Sequence, residues 1–61
     1  MMRNYILRAD AIKKLGISSK AFDNAVKDGW IIKLDRGIYD IETVNNYLVE
    51  LNYRRKLRRN K

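Results

Sequence analysis

The side chains that could do chemistry in this chain are carboxylates, ammoniums, guanidiniums, amides and hydroxyls. Its 61 residues include no Cys and no His, which excludes disulfides, thiolate nucleophiles, the usual zinc ligands and His-based proton transfer together. The seven carboxylates (Asp10, Asp23, Asp28, Asp35, Asp40, Glu42, Glu50) stand near expected helix caps or beside Lys and Arg. No pair of them is flanked by the apolar sequence that would raise a pKa for acid/base work. Gly16, Gly29 and Gly37 are too dispersed to cradle a phosphate. Neither catalysis nor a cofactor nor a metal is expected.

What remains is positive charge. Fourteen Lys and Arg against seven Asp and Glu give +7 and a pI near 10.1, which points to a polyanionic partner. The charge is unevenly placed. Residues 1–50 carry eight basic and seven acidic side chains, a net +1, whereas residues 51–61 carry six basic and no acidic ones. We therefore expect a folded domain over 1–51 and a basic helical arm over 52–61. Like-charge runs of this kind usually serve as interaction tails.

The residues that could read a nucleic acid fall into three groups. At 100° per residue, Lys20, Asn24 and Lys27 lie within about 60° of one another on a helix, and Ser19 and Asp23 share that exposed side. Asn can bond adenine through two hydrogen bonds, and Lys can reach guanine or phosphate. Lys33 and Arg36 sit in a turn-bearing segment suited to minor-groove or phosphate contact. Arg54, Arg55, Arg58 and Arg59 would add phosphate contacts and a steep salt dependence. Val49, Tyr53 and Leu57, spaced i, i+4, i+8, form an apolar edge on the arm, a candidate dimer or partner face. Phe22, Trp30 and Tyr39 could stack on unpaired bases, but their places on packing faces assign them to the core.

These groups need elements to position them. After the apolar entry Tyr5–Leu7, the residues Leu7, Ala11, Ile12 and Leu15 recur at helical spacing, and Gly16 follows where a left-handed cap would fall. This predicts a first helix over 8–15. Ser18 or Ser19 is a natural N-cap for a second helix, which Gly29 ends and whose inner face carries Phe22, Ala25 and Val26. Two short helices joined by about three residues signal a helix-turn-helix. Trp30–Leu34, the tripeptide Asp35-Arg36-Gly37, and Ile38-Tyr39 predict a β-hairpin over 31–39 with a three-residue loop and a bulge. Such a hairpin is not stable alone, so it must lie on the helices, with Trp30 and Tyr39 as anchors. Asp40 then caps a third helix. Its Ile41, Val44, Leu48 and Leu51 share one arc, with Tyr47 at the edge, and core packing ends near Leu51. The expected fold class is mainly α with a small β-hairpin, a winged helix-turn-helix.

Residues 9–30 (Ala-Asp-Ala-Ile-Lys-Lys-Leu-Gly-Ile-Ser-Ser-Lys-Ala-Phe-Asp-Asn-Ala-Val-Lys-Asp-Gly-Trp) resemble the opening of MerR-like winged domains, shared by small phage excisionases and lambda-type terminase small subunits. Gly37-Ile38-Tyr39-Asp40, with Val44, Tyr47-Leu48 and a basic segment after it, is similar to the terminase pattern. The resemblance covers about 45 of the 61 residues and rests on short motifs. It implies a recognition helix over 18–28, a wing over 33–38, and a third helix that helps to build a dimer. It further implies recognition of viral DNA for packaging and delivery to a larger protein that holds the ATPase and nuclease. Two departures matter: the chain stops where such proteins continue into a region that binds that larger protein, and the wing is short.

The expected function is sequence-specific binding of double-stranded DNA, as a homodimer, in packaging or as a phage-type excisionase or transcription regulator. A larger packaging or recombination protein is a further expected partner. The alternatives of another class are a small protein-interaction module using Val49, Tyr53 and Leu57, and an RNA-binding basic protein whose tail folds on its target. Arg3, Asn4, Arg8 and Asp10 break up any signal-peptide core, no apolar run could span a bilayer, and the expected setting is a reducing cytoplasm, that of a bacterial host if the chain is phage-derived.

Overall fold

The structure is a computed structural model that describes residues 4–59, with side-chain surroundings through Leu57. In chain order it comprises β1 (Tyr5–Leu7), α1 (Arg8–Leu15), α2 (Ser19–Lys27), β2 (Lys33–Asp35), β3 (Ile38–Asp40) and α3 (Ile41–Arg59). Three helices and one small antiparallel sheet form a winged-helix-like fold, as the sequence leads one to expect.

The helix boundaries have local causes. α1 ends at Gly16, whose φ of 68° is open to glycine at no steric cost, and whose N–H returns to the Ile12 carbonyl at 2.9 Å. Ser18 caps α2, its hydroxyl accepting from the Ala21 N–H at 3.1 Å. At the far end the Trp30 N–H donates to the Ala25 carbonyl and the Gly29 N–H to the Val26 carbonyl, the two bonds of a Schellman ending, with Gly29 at φ 94°. Asp40 opens α3. Its carboxylate accepts from the Glu42 N–H at 2.9 Å, and Thr43 donates its hydroxyl proton to the Asp40 carbonyl at 2.7 Å.

The sheet has the order β1-β3-β2. Tyr5–Leu7, expected only as an apolar entry, is therefore a third strand, paired with β3 from Tyr5↔Asp40 to Leu7↔Ile38. The expected loop also differs. Asp35 belongs to β2, the turn is the two residues Arg36-Gly37, and the irregularity lies between Lys33 and Asp35, so that Leu34 is the extra residue of a bulge. Asp35 shapes this turn from its edge, accepting the Arg36 N–H at 2.7 Å.

The core is built from Ala11 and Leu15 of α1, Phe22 and Ala25 of α2, Ile31, Tyr39 of β3, and Val44 and Tyr47 of α3, all buried. Phe22 meets Tyr39 edge-on, with ring centroids 4.9 Å apart, an arrangement worth about 0.5–1.5 kcal/mol beyond area burial. Three expectations about packing are corrected. Leu7 does not join the helical stripe, because it lies in β1 and is exposed. Trp30 is not a buried anchor. It is 40% exposed and lies across Tyr47 at 5.3 Å, while its neighbour Ile31 takes the core position. On α3, Tyr47 is buried, and Leu48 and Leu51 only flank the core.

Beyond Leu51 the helix continues without a break to Arg59, extending a molecule 43 Å long and 25 Å by 19 Å across. Among the described residues, no helix is long and apolar enough to cross a membrane.

Candidate nucleic-acid interface

Helix α2 buries Phe22 and Ala25 and turns Ser19, Lys20, Asp23, Asn24 and Lys27 outward, all exposed. The division follows from the 3.6-residue period: once Phe22 is fixed in the core, Lys20, Asn24 and Lys27 must face away. The Gly16–Ser18 connection sets the angle between α1 and α2, with both of its ends held by backbone bonds.

One member of that face is already engaged. Asp23 accepts from Arg8 at 2.6 Å, and the same guanidinium lies 5.3 Å from the centre of the Phe22 ring. The hydrogen bond from Arg8 holds the Asp23 carboxyl below its ordinary range, with a smaller contribution from Lys33, and Asp23 in turn raises Arg8. Arg8 thus joins the start of α1 to the outer face of α2. Its own backbone N–H donates to the Gly37 carbonyl in the hairpin turn at 3.1 Å. Helix-turn-helix and hairpin are therefore fastened to each other through one residue that sequence reasoning did not single out. The available signal was a lone cation at the start of α1 and a lone carboxylate on α2.

On the hairpin, Lys33 and Arg36 are both exposed, with Arg36 at the tip of the turn. Thr43, also not singled out, holds the hairpin's base by accepting the Ile32 N–H at 3.1 Å.

The arm is partly committed to the fold. Arg54 pairs with Glu50 at 2.8 Å and covers Trp30 at 5.6 Å. Arg55 donates to the Leu15 carbonyl at 3.2 Å, supplying a partner at the C-terminal end of α1, where cations are favoured. Val49, Tyr53 and Leu57 are 67%, 59% and 54% exposed, so the apolar edge is real. The side chains of Arg58 and Arg59 lie outside the described residues.

A capped helix presenting amide and ammonium groups, set against a short hairpin with a basic tip, defines a winged-helix-like domain of the DNA-binding regulator class. The chain belongs to the family of transcriptional regulators described as AbiEi antitoxin, whose model matches residues 2–39. That match takes in β1, both short helices and the hairpin through Tyr39, and ends before α3. No curated protein and no solved structure matches the chain.

Proposed function

We propose that this domain regulates transcription by binding double-stranded DNA, with α2 in the major groove and the Arg36 turn on the adjacent backbone or minor groove. The observation that carries this reading is the outer face of α2, where Lys20, Asn24 and Lys27 project together from a helix whose two ends are fixed. Asn24 supplies the base-reading group, and Lys20 and Lys27 supply guanine or phosphate contacts. Lys33 and Arg36 hold the backbone. Asp23 acts through Arg8 as a positioning residue. The protein performs no catalysis of its own.

Regulation is favoured over recognition of viral DNA for packaging, or over excision, by the family match across the helix-turn-helix and hairpin. The packaging reading rests on the short pattern Gly37-Ile38-Tyr39-Asp40 with Val44, Tyr47-Leu48 and the basic segment, most of which lies beyond the matched residues 2–39. The arm contributes through Lys56 and the basic residues after it, since Arg54 and Arg55 serve the fold. Its apolar edge binds a second copy of the chain.

Selection of bound sequences from a random duplex pool tests the reading. We expect a defined motif, repeated if two copies bind together. Lys20→Ala and Asn24→Ala should blur the motif while leaving non-specific affinity within several-fold. A pool that stays random, or an equal preference for single-stranded RNA through the arm, would overturn it.

A further inference from the structure

We propose that the C-terminal arm of one copy docks on the outer face of the three-stranded sheet of a second copy. This rests on the second-copy part of the reading above and names the surface that receives the arm.

Successive strand residues point to opposite faces. Tyr39 and Ile6 face the helices. Tyr5, Leu7 and Leu34 lie on the other side and are 41%, 51% and 54% exposed. Together with half-buried Ile38, Tyr5 and Leu34 line a groove of about 650 Å³. The rest of its described rim is Asn4 and three carboxylates, Asp35, Asp40 and Glu42, with no Lys or Arg among the described lining residues. An apolar floor edged by carboxylates repels DNA and suits a basic amphipathic segment.

The arm is such a segment. It carries Tyr53 and Leu57, continuing the Val49 edge, and no acid; of its six cations, Arg54 and Arg55 serve the fold and the other four come from Lys56 onward. Its helix is about 10–12 Å in diameter with side chains, which matches a three-stranded sheet about 10 Å across. The arm cannot reach the groove of its own chain. Glu42 stands in the first turn of α3 and Leu57 lies fifteen residues further along the same helix, or about 22 Å away. The occupant must come from another copy. Arm-into-groove contact is heterologous, so two copies that exchange arms close a dimer, and otherwise a chain of copies forms.

Sedimentation equilibrium with two variants tests this. Leu34→Lys closes the groove and keeps an intact arm, whereas Tyr53→Asp spoils the arm and keeps an intact groove. Both positions are exposed, and circular dichroism should show each variant folded. We expect the wild type to associate, each variant alone to be monomeric at the same concentration, and the equimolar mixture to form a 1:1 complex. Wild-type-like association of Leu34→Lys would overturn the groove and leave arm-to-arm pairing as the second-copy contact. A mixture that stays monomeric would also overturn it. A monomeric wild type at the highest attainable concentration would remove the second copy altogether.

Discussion

If α2 and the hairpin carry the DNA contact, the salt dependence of binding can be counted from side chains. Lys20, Lys27, Lys33 and Arg36 are exposed on that surface, whereas Arg8, Arg54 and Arg55 are engaged within the fold. Each phosphate neutralised contributes about −0.9 to the slope of log affinity against log salt, so four contacts give about −3.6. Through these four contacts, raising salt from about 50 to about 200 mM should weaken binding roughly 150-fold, with Lys56 and the basic residues after it adding up to about four more contacts. In the double variant Lys20→Gln/Lys27→Gln the slope should become shallower by about 1.8, and the same salt step should cost about 12-fold less than in the wild type. Arg54→Gln/Arg55→Gln should leave the slope where it was. Fluorescence anisotropy on a labelled duplex, at a temperature where every variant is folded, measures these slopes. An undiminished slope in the lysine variant, together with a collapsed slope in the arginine variant, would refute the assignment and move the DNA contact to the arm.

Other outcomes follow from the packing. Phe22→Ala empties the centre of the core, which costs about 3–5 kcal/mol. A chain this small has about that much stability in total, so far-ultraviolet circular dichroism should show no cooperative melt. Gly37→Ala meets no neighbouring atom but keeps φ at 73°; the backbone penalty of about 1–2 kcal/mol should lower the melting temperature by roughly 4–8 °C per kcal/mol. The Asp23 carboxyl is held below its ordinary value of 3.8 by Arg8, so its contribution is complete above that pH and is lost as pH falls through the lowered value. The raised Arg8 would lose its share only in strong alkali. The melting-temperature gap between wild type and Asp23→Asn should therefore be constant near neutrality and close in acid; a gap that widens in acid would contradict the pairing. Arg55→Met removes the partner of the Leu15 carbonyl and should cost about 0.5–1.5 kcal/mol, read as faster amide exchange at the α1–α3 junction.

The helices were legible because their signals are local. Gly16, Ser18, Gly29 and Asp40 each act within a few residues, and the positions of Phe22, Ala25 and Val44 follow from a 3.6-residue period. The first strand was not legible. Tyr5–Leu7 is too short to show a period and becomes a strand only when β3 lies beside it. Trp30 misleads because size suggests burial, yet the Schellman ending of α2 sends Ile31 inward and leaves Trp30 across the rim of Tyr47. The recognition face was visible as a cluster of residue types. The committed states of Asp23, Arg54 and Arg55 were not, since their partners are fifteen and four residues away and, for Arg55, a backbone carbonyl forty residues away. The acidic groove depends on three strands meeting, and no contiguous stretch of sequence displays it.

The unbroken course of α3 from Ile41 to Arg59 makes it a torsional gauge. Val44 and Tyr47 clamp one end in the core, so the azimuth of everything beyond Leu51 is dictated by residue count. One alanine inserted after Asn52 would swing Tyr53 and Leu57 by about 100° and advance them 1.5 Å, breaking the stripe away from Val49. Seven inserted residues would return them to within about 20° of their original direction, about 10 Å further out. Loss of self-association with one residue and recovery with seven would show that the arm acts as a rigid, phased extension of the core.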